Sequence, residues 1–362
     1  MATFTPQQQH AVLCMLSYLV AFAEGSEDEL QATMAEKLRL MLAWDKVQAL
    51  IGRWEVVWGP VVTQLNDSGV ADNTMFAAYS LDEPQMVISI AGTNPYSWHD
   101  WLWQDFSVRQ KTAWPTYQGS QSGFKPKISR GTANGLRVLQ AMRSEGQTLV
   151  EFLQAYVAAK VQSLPITVTG HSLGGALAPA TAVYLADTQP TWDAANRAVV
   201  SVMPIAGPTP GNLDFAVYGE GKLNGRIQRI WNAKDIIPHA WDKAQMAELA
   251  TLYAPAIKPT LLTRIVIKLA QWIANRADYA HLQPGASPLP GTVVPNEQII
   301  AVLPPSLLNK LLPHFMLQMG YQHLEAYYNL LAMDEFLHLM GDKLPDAFSG
   351  PDVEDLRRWV NV

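Results

Sequence analysis

The chain has 362 residues, of which 49% are hydrophobic and 16% charged, so it has apolar material for one large α/β domain or two smaller ones. A formal net charge of −6 and the lack of any basic run argue against nucleic acid as a partner. The single cysteine, Cys14, excludes an intramolecular disulfide, and no segment is predicted to span a membrane.

The first residues lack the basic segment, apolar core and cleavage site of a secretory signal. The apolar stretch 11–23 is too short to cross a bilayer. We therefore expect the protein in the cytoplasm, or exported without a cleavable signal peptide, and the single cysteine does not distinguish the two.

The N-terminal region is predicted to be helical. Thr5 is a suitable N-cap with proline after it, and this pattern predicts a helix that continues to about Ala23. Ser26 opens a capping box with Glu29 and predicts a second helix that ends near Leu50. Neither helix carries reactive side chains, so we expect both to cover one face of a sheet.

Strands and helices then alternate, which predicts a mostly parallel central sheet flanked by helices. The predicted strands are 54–62, 74–80, 85–91, 166–169, 199–205, 227–231 and 299–302, of which the second and third form a hairpin. The predicted helices among them are 132–142, 145–162 and the helix that follows Ser172. Active sites of such sheets lie beyond the carboxyl ends of the strands. Thr93, Ser172 and Asp235 each follow a strand end, so we expect them to meet there.

The sequence Gly-His-Ser-Leu-Gly at 170–174 is the pattern of a nucleophile elbow, because a β-branched strand precedes it and a helix of small residues follows. The tight turn would hold Ser172 in a strained conformation, and Gly170 and Gly174 remove the side chains that would collide. The amide of Leu173 would then stabilise an oxyanion at the helix N-terminus, and Thr93 is the candidate for the second donor.

A nucleophilic serine needs a histidine to remove its proton and a carboxylate to orient that histidine. The order serine, aspartate, histidine along the chain is that of α/β-hydrolases. Asp235 is the preferred aspartate because it follows a strand, whereas Asp214 and Asp242 lie in less constrained segments.

Four histidines after Ser172 are candidates for the base. His323 is preferred because it follows a helix-stopping glycine, and His314 is the second choice. His281 lies in a predicted insert, and His239 is only four residues beyond Asp235. Residue spacing alone leaves these alternatives open. This chemistry needs no metal or organic cofactor, and the sequence contains no convincing cluster of metal ligands.

One further region differs from the alternating pattern. Residues 239–297 carry amphipathic helical stretches at 244–252 and 261–274 and a tract rich in proline and glycine. We interpret 1–362 as a single domain with 239–297 inserted as a cap or lid. The aromatic stretch 96–106 is the alternative cover.

Together these motifs resemble the class 3 (fungal-type) lipase family of α/β-hydrolases, in particular its bacterial branch. The similar motifs run in order along the chain: Ile90-Ala91-Gly92-Thr93, Asp100-Trp101 with Asp105, Gly170 to Leu177, Ala206-Gly207-Pro208 with Gly211, Asn212 and Phe215, Asn232 with Asp235 and Pro238, and His323 with Tyr327. Two positions differ from the family pattern, with Ala91 in place of arginine and Ser129 in place of histidine.

The resemblance implies an ester hydrolase with Ser172 as nucleophile, Asp235 and His323 as its partners, and Thr93 and Leu173 as oxyanion donors. It implies an acylglycerol or another lipid ester as substrate, with transient contact to a lipid surface. A phospholipase A1-type acyl-hydrolase is one alternative. A catalytically silent hydrolase fold that binds lipid is the other.

Overall fold

The computed structural model describes residues 2–64, 68–92, 110–119, 122–258, 261–274, 278–295, 299 and 314–342. The strands are β1 (Trp54–Thr63), β2 (Asn73–Ser80), β3 (Met86–Ala91), β4 (Lys111–Ala113), β5 (Lys127–Ser129), β6 (Arg143–Ser144), β7 (Gln147–Thr148), β8 (Leu164–His171), β9 (Ala198–Ile205), β10 (Gly211–Asn212) and β11 (Tyr279–Ala280).

The α-helices are α1 (Pro6–Leu16), α2 (Glu27–Ala43), α3 (Asp45–Ile51), α4 (Arg130–Ala141), α5 (Leu149–Ala158), α6 (Leu173–Trp192), α7 (Leu213–Leu223), α8 (Lys243–Met246), α9 (Leu261–Ala274), α10 (His314–His323), α11 (Ala326–Leu330) and α12 (Asp334–Asp342). Short 3₁₀ helices lie at Ile237–His239 and Leu249–Thr251. Of the helices in the described ranges, none combines the length and apolar character that a bilayer crossing requires.

The central sheet has the strand order β1-β2-β3-β8-β9 among the described residues. The sheet is mixed: β3, β8 and β9 are parallel, as expected, whereas β1 and β2 are antiparallel to their neighbours. The connections between β1, β2 and β3 are too short for a parallel crossover, so antiparallel pairing follows. The predicted strand 227–231 forms only two parallel bridges, from Ile227 and Ile230 to β9.

Each face of the sheet carries its own hydrophobic core. Alternating residues of β2 point to opposite faces, so Met75 and Ala77 belong to one core and Phe76 and Ala78 to the other. Helices α4 to α7 contribute to the first core, and α1 to α3 with α11 and α12 contribute to the second. The prediction that the N-terminal helices cover one face is confirmed.

The first helix ends seven residues earlier than the sequence predicts, at Leu16 rather than Ala23. The hydroxyl of Ser17 donates to the carbonyl of Cys14 at 2.6 Å, and the chain continues in turns. This ending brings Tyr18 to the end of β8, where its Oη donates to the carbonyl of His171 at 2.7 Å. A long-range contact therefore overrides the local helical pattern.

Two other helices differ from their predicted bounds. The helix expected from Ser26 to Leu50 is interrupted at Trp44, whose ψ of 119° is extended. The helix expected to start at 145 begins only at Leu149, because β6 and β7 form a small hairpin in front of it. Glu145 and Gly146 form the turn of that hairpin with positive φ values of 50° and 78°.

The described part of the predicted insert has two different structures. Residues 237–258 and 261–274 form short helices and α9 around a small core that includes Tyr253 and Ile267. Residues 279–295, which we call the strap, have little regular secondary structure beyond β11 and hydrogen-bond with the segment 229–238.

Candidate active site

Ser172 occupies the sharp turn between β8 and α6. Its φ and ψ of 58° and −121° are rare for a side-chain-bearing residue, and its amide donates to the carbonyl of Ile205 at 3.1 Å. Non-glycine residues persist in such conformations only where surrounding structure enforces them, typically at functional sites. The strained turn expected at Ser172 is therefore present.

The glycines around the turn allow the backbone of β3 to lie in contact with the backbone of the turn. A Cβ on Gly170 would overlap the carbonyl of Gly174, and one on Gly174 would overlap the carbonyl oxygen of Ile90 at the end of β3. A Cβ on Gly92 would lie 2.8 Å from the amide nitrogen of Gly174. The end of β3 therefore lies directly against the start of α6.

The structure brings together the three side chains expected to act as a triad. His323 Nε2 lies 2.8 Å from Ser172 Oγ, and His323 Nδ1 lies 2.9 Å from Asp235 Oδ2. An ionised carboxylate only accepts hydrogen bonds, so Nδ1 carries the proton and donates it to Asp235. The unprotonated Nε2 then accepts from the serine hydroxyl, which is the arrangement that a general base requires.

The Asp235 carboxylate is fully buried and accepts three hydrogen bonds in the described structure. Besides His323, the amide of Ile237 donates to Oδ1 at 3.0 Å and the Tyr327 hydroxyl donates to Oδ2 at 2.9 Å. Burial, with Asp235 beside it, holds the pKa of Tyr327 well above its usual value. Tyr327 therefore stays protonated as a donor, while its oxygen accepts from the amide of Asn232 at 3.0 Å.

His171, next to Ser172 in the chain, contacts His323. Its Nε2 donates to the backbone carbonyl of His323 at 2.8 Å, and the two rings are 4.7 Å apart. Burial, together with the neighbouring His323, holds the pKa of His171 well below its usual value, so the ring is neutral. His171 thus has a packing and hydrogen-bonding role beside His323.

Tyr18 is a contributor that the sequence analysis missed. Its hydroxyl donates to the carbonyl of His171 and lies 3.4 Å from the amide nitrogen of Gly92. It therefore joins the ends of β8 and β3 at the turn. Tyr18 lies far from both strands in the chain, and nothing in its local sequence indicates this contact.

The strap connects the loop of Asp235 with the helix of His323. Leu289 pairs with the backbone of this loop through bonds to Trp231 and Ala233 of 2.7 and 3.0 Å. Gln322, adjacent to His323, donates to the carbonyl of Thr292 at 2.6 Å and accepts from Asn232 Nδ2 at 2.7 Å. The two triad partners of Ser172 are thus held to one common segment.

The other histidines that the sequence left open have different surroundings. His314 is exposed at the start of α10, and His239 Nδ1 contacts the carbonyl of Gln245 at 3.4 Å. His281 in the strap donates to the carbonyl of Pro238 at 2.7 Å. Burial, helped by the charge of Arg229, holds the pKa of His281 well below its usual value. These positions leave His323 as the histidine in contact with Ser172.

The two aspartates that the sequence did not favour, Asp242 and Asp214, accept hydrogen bonds from backbone amides. Asp242 caps α8 by accepting from the amide of Ala244 at 2.9 Å, and Asp214 accepts from the amide of Lys125 at 2.8 Å. Within the described ranges no three His, Cys, Asp or Glu side chains are grouped closely enough to hold a metal ion.

The two predicted oxyanion donors differ in what the structure describes. Leu173 is the first residue of α6, where backbone amides have no carbonyl partner within the helix. Thr93 lies outside the described residues, as does the aromatic stretch 96–106. Gly92 is the last described residue before Thr93. A Cβ added at Gly92 would lie within 2.8 Å of the Leu173 side chain.

Comparison with known proteins places this site in a family. Residues 87–243 match the family model of class 3 lipases. The whole chain is 30% identical to M37 lipase, and their structures agree with a TM-score of 0.78 over 98% of each chain. The chain belongs to the class 3 lipase family. The predicted α/β-hydrolase fold is confirmed with it.

Curated relatives of this class 3 lipase match over shorter segments. A segment of 76 residues is 38% identical to the chloroplastic phospholipase A1-Igamma2 of Arabidopsis thaliana. A segment of 144 residues is 30% identical to a lipase of Rhizopus niveus. The aligned segments span 14% of the plant protein and 36% of the fungal one.

Proposed function

We propose that the protein hydrolyses carboxylic esters of lipids through an acyl-enzyme on Ser172. The observation that carries this proposal is the continuous chain of contacts from Ser172 Oγ to His323 at 2.8 Å and from His323 to Asp235 at 2.9 Å. Membership of the class 3 lipase family supports the same chemistry. The proposal includes the bacterial branch of the family, which the sequence motifs resemble. The insert at 239–297 is a departure from the compact fungal members.

In the first half of the reaction, Ser172 Oγ attacks the ester carbonyl carbon while His323 Nε2 takes the hydroxyl proton. The amides of Leu173 and Thr93 stabilise the negative charge on the carbonyl oxygen, and losing one donor would raise the barrier by about 2.7–4 kcal/mol. The tetrahedral intermediate collapses, the ester bond breaks, and His323 returns the proton to the departing alkoxide. The products are an alcohol and an acyl ester of Ser172.

In the second half, water replaces the alcohol. His323 takes a proton from the water as its oxygen attacks the acyl carbon, and the same amides hold the second oxyanion. When the intermediate collapses, the proton passes to Ser172 Oγ and a fatty acid leaves. The enzyme then returns to its starting state.

The buried surroundings favour this proton transfer. The fully buried Asp235 faces the imidazolium that forms, in an interior where charge interactions are stronger than in water. His171 is neutral, so the developing positive charge on His323 meets no second cation there. Both features lower the free energy of the protonated base.

An acylglycerol is the preferred substrate class, and similarity to M37 lipase and to the Rhizopus niveus lipase supports it. A phospholipase A1-type activity is the second candidate, because a segment of the chain is 38% identical to the Arabidopsis thaliana phospholipase A1. Hydrolysis of triacylglycerol and of phosphatidylcholine should be measured side by side. A marked preference for phosphatidylcholine would favour the second candidate.

The decisive experiment compares the parent, Ser172→Ala and Asp235→Asn on a chromogenic short-chain ester. Removing the serine should lower kcat by about 10⁴-fold or more, as it does in other triad hydrolases. Ser163→Ala is the matched control, since the Ser163 hydroxyl is exposed and donates to the Arg197 carbonyl. Ester hydrolysis that persists in Ser172→Ala would refute the mechanism, and an inactive parent would favour a catalytically silent, lipid-binding fold.

A further inference from the structure

Helix α9 carries exposed hydrophobic side chains on one side. Leu261 is 77% exposed, Ile265 55% and Trp272 45%. Successive helical residues are about 100° apart, so these three positions lie within about 40° of each other around the axis. They form a single apolar stripe, which we call the α9 face.

A different side of the helix holds it to the protein. Ile267 is only 6% exposed and packs in the small core of the insert. Gln271 Nε2 donates to the carbonyl of Met246 at 2.7 Å. The α9 face is therefore not the side that packs on the insert core.

Two cations lie along one edge of the α9 face. Arg264 and Lys268 are exposed and, at helical spacing, lie beside the apolar stripe. Between Glu248 and Asp278 the sequence has no acidic residue and four basic ones, although the whole chain has a net charge of −6. The four are Lys258, Arg264, Lys268 and Arg276.

We propose that the α9 face docks the enzyme onto an anionic lipid surface. Helices with an apolar stripe bordered by lysine and arginine bind in the headgroup region, where the stripe enters the acyl boundary and the cations meet anionic headgroups. A local positive charge on an otherwise acidic protein fits a negatively charged lipid layer. This inference deepens the proposed function, because a lipid esterase must reach substrate that is held in such a layer.

One hydrophobic cluster joins α9 to the loop of Asp235 and to α10, the helix of His323. Ile267 of α9 belongs to the same cluster as Ile236, which follows Asp235, and Met319, four residues before His323. Docking through α9 would therefore attach the enzyme to lipid through the cluster that also contains side chains of the Asp235 loop and of α10.

The test measures binding of Ser172→Ala protein to vesicles, so that hydrolysis does not change the lipid during the experiment. Vesicles of phosphatidylcholine alone are compared with vesicles that also contain phosphatidylserine. We expect tighter binding to the anionic vesicles and weakening with added salt. The double change Arg264→Gln and Lys268→Gln should lower the anionic partition coefficient about fivefold per cation.

Ile265→Glu tests the apolar stripe and should lower binding about tenfold or more. Val161→Glu is its matched control, because Val161 is 93% exposed and lies outside α9. In the active enzyme, neither change should alter hydrolysis of a soluble short-chain ester. Thermal unfolding of both variants should match the parent.

Equal vesicle binding by Ile265→Glu and Val161→Glu would overturn the proposal, as would equal binding to both vesicle types. A shift of Ile265→Glu from dimer to monomer in sedimentation, with vesicle binding unchanged, would instead assign the face to a second copy of the chain. Failure of the parent to hydrolyse any ester would refute the proposed function and leave this binding result intact.

Discussion

His171 donates a hydrogen bond from Nε2 to the backbone carbonyl of His323, 2.8 Å away, so the residue before the proposed nucleophile holds the backbone of the proposed base. The contact joins positions 152 residues apart and lies in a buried site. It makes the geometry between Ser172 and His323 depend on a third side chain that does not react.

His171→Phe removes this donor while keeping a ring of similar size. The unsatisfied buried carbonyl should lower the free energy of unfolding by about 1–3 kcal/mol. Displacement of His323 should lower kcat about tenfold with little change in KM, measured on a soluble chromogenic ester. His10→Phe is the control, since His10 contacts Gln85 Oε1 at 3.1 Å on another part of the protein. Equal kcat values for the two variants would contradict a positioning role for His171.

Tyr327→Phe tests the hydroxyl that braces the carboxylate. Its loss removes a hydrogen bond to an ionised acceptor, an interaction of about 1.5–3 kcal/mol, so we expect kcat to fall by about one to two orders of magnitude. The matched control is Tyr253→Phe, because the buried Tyr253 hydroxyl has no hydrogen-bond partner among the described residues. Kinetics and unfolding should be measured together; the control should keep its activity and be at least as stable as the parent.

Gly174→Ala tests the close passage of β3 beneath the elbow. The added Cβ would overlap the carbonyl oxygen of Ile90, a backbone atom that cannot move alone, so the variant should be strongly destabilised and inactive. Gly221→Ala lies in α7 with open space around the new Cβ and should gain about 0.5–1 kcal/mol. Denaturant unfolding distinguishes them. A stable and active Gly174→Ala enzyme would contradict the contact.

Glu325 predicts a pH-dependent stability difference. Burial holds the pKa of its carboxyl well above the usual 4.5, so the folded protein keeps it protonated while the unfolded chain ionises it. Ionisation therefore favours unfolding above about pH 4.5. Relative to the parent, Glu325→Gln should gain stability by about 1.4 kcal/mol per pH unit above that value, up to the folded pKa.

Urea unfolding from pH 4.5 to 8 measures the effect of Glu325→Gln. Glu335→Gln serves as control because Glu335 is exposed on α12, and its difference from the parent should stay flat. A flat difference for Glu325→Gln as well would show that the carboxyl is ionised in the folded protein.

The sequence was sufficient for those parts of the site that depend on local pattern. The elbow requires glycines at fixed distances from Ser172, and Asp235 follows a β9-paired segment, so both positions could be predicted. His323 was harder, because it lies on a helix whose place is set by packing and by the strap. Tyr18 was missed because its hydrogen bonds reach β8 and β3 from a distant segment.

Helix ends were least predictable where tertiary contacts compete with local preference. Helix α1 ends early, and Tyr18, just beyond it, donates a hydrogen bond to the carbonyl of His171. No helix-propensity scale contains that long-range contact. The hairpin before α5 depends on left-handed residues at Glu145 and Gly146 within a segment of helix-forming composition. The short connections that make β1 and β2 antiparallel were visible in the sequence, and the prediction of a mostly parallel sheet gave them too little weight.

The strap has a consequence for how this enzyme can diversify. Because residues 279–295 hydrogen-bond both to the Asp235 loop and to Gln322 beside His323, grafting the whole insert from a relative would shift Asp235 and His323 relative to each other. Helices α8 and α9 before it share one small core with the Asp235 loop and with α10. Evolution or laboratory recombination can therefore exchange α8 and α9 while the strap stays with Asp235 and His323.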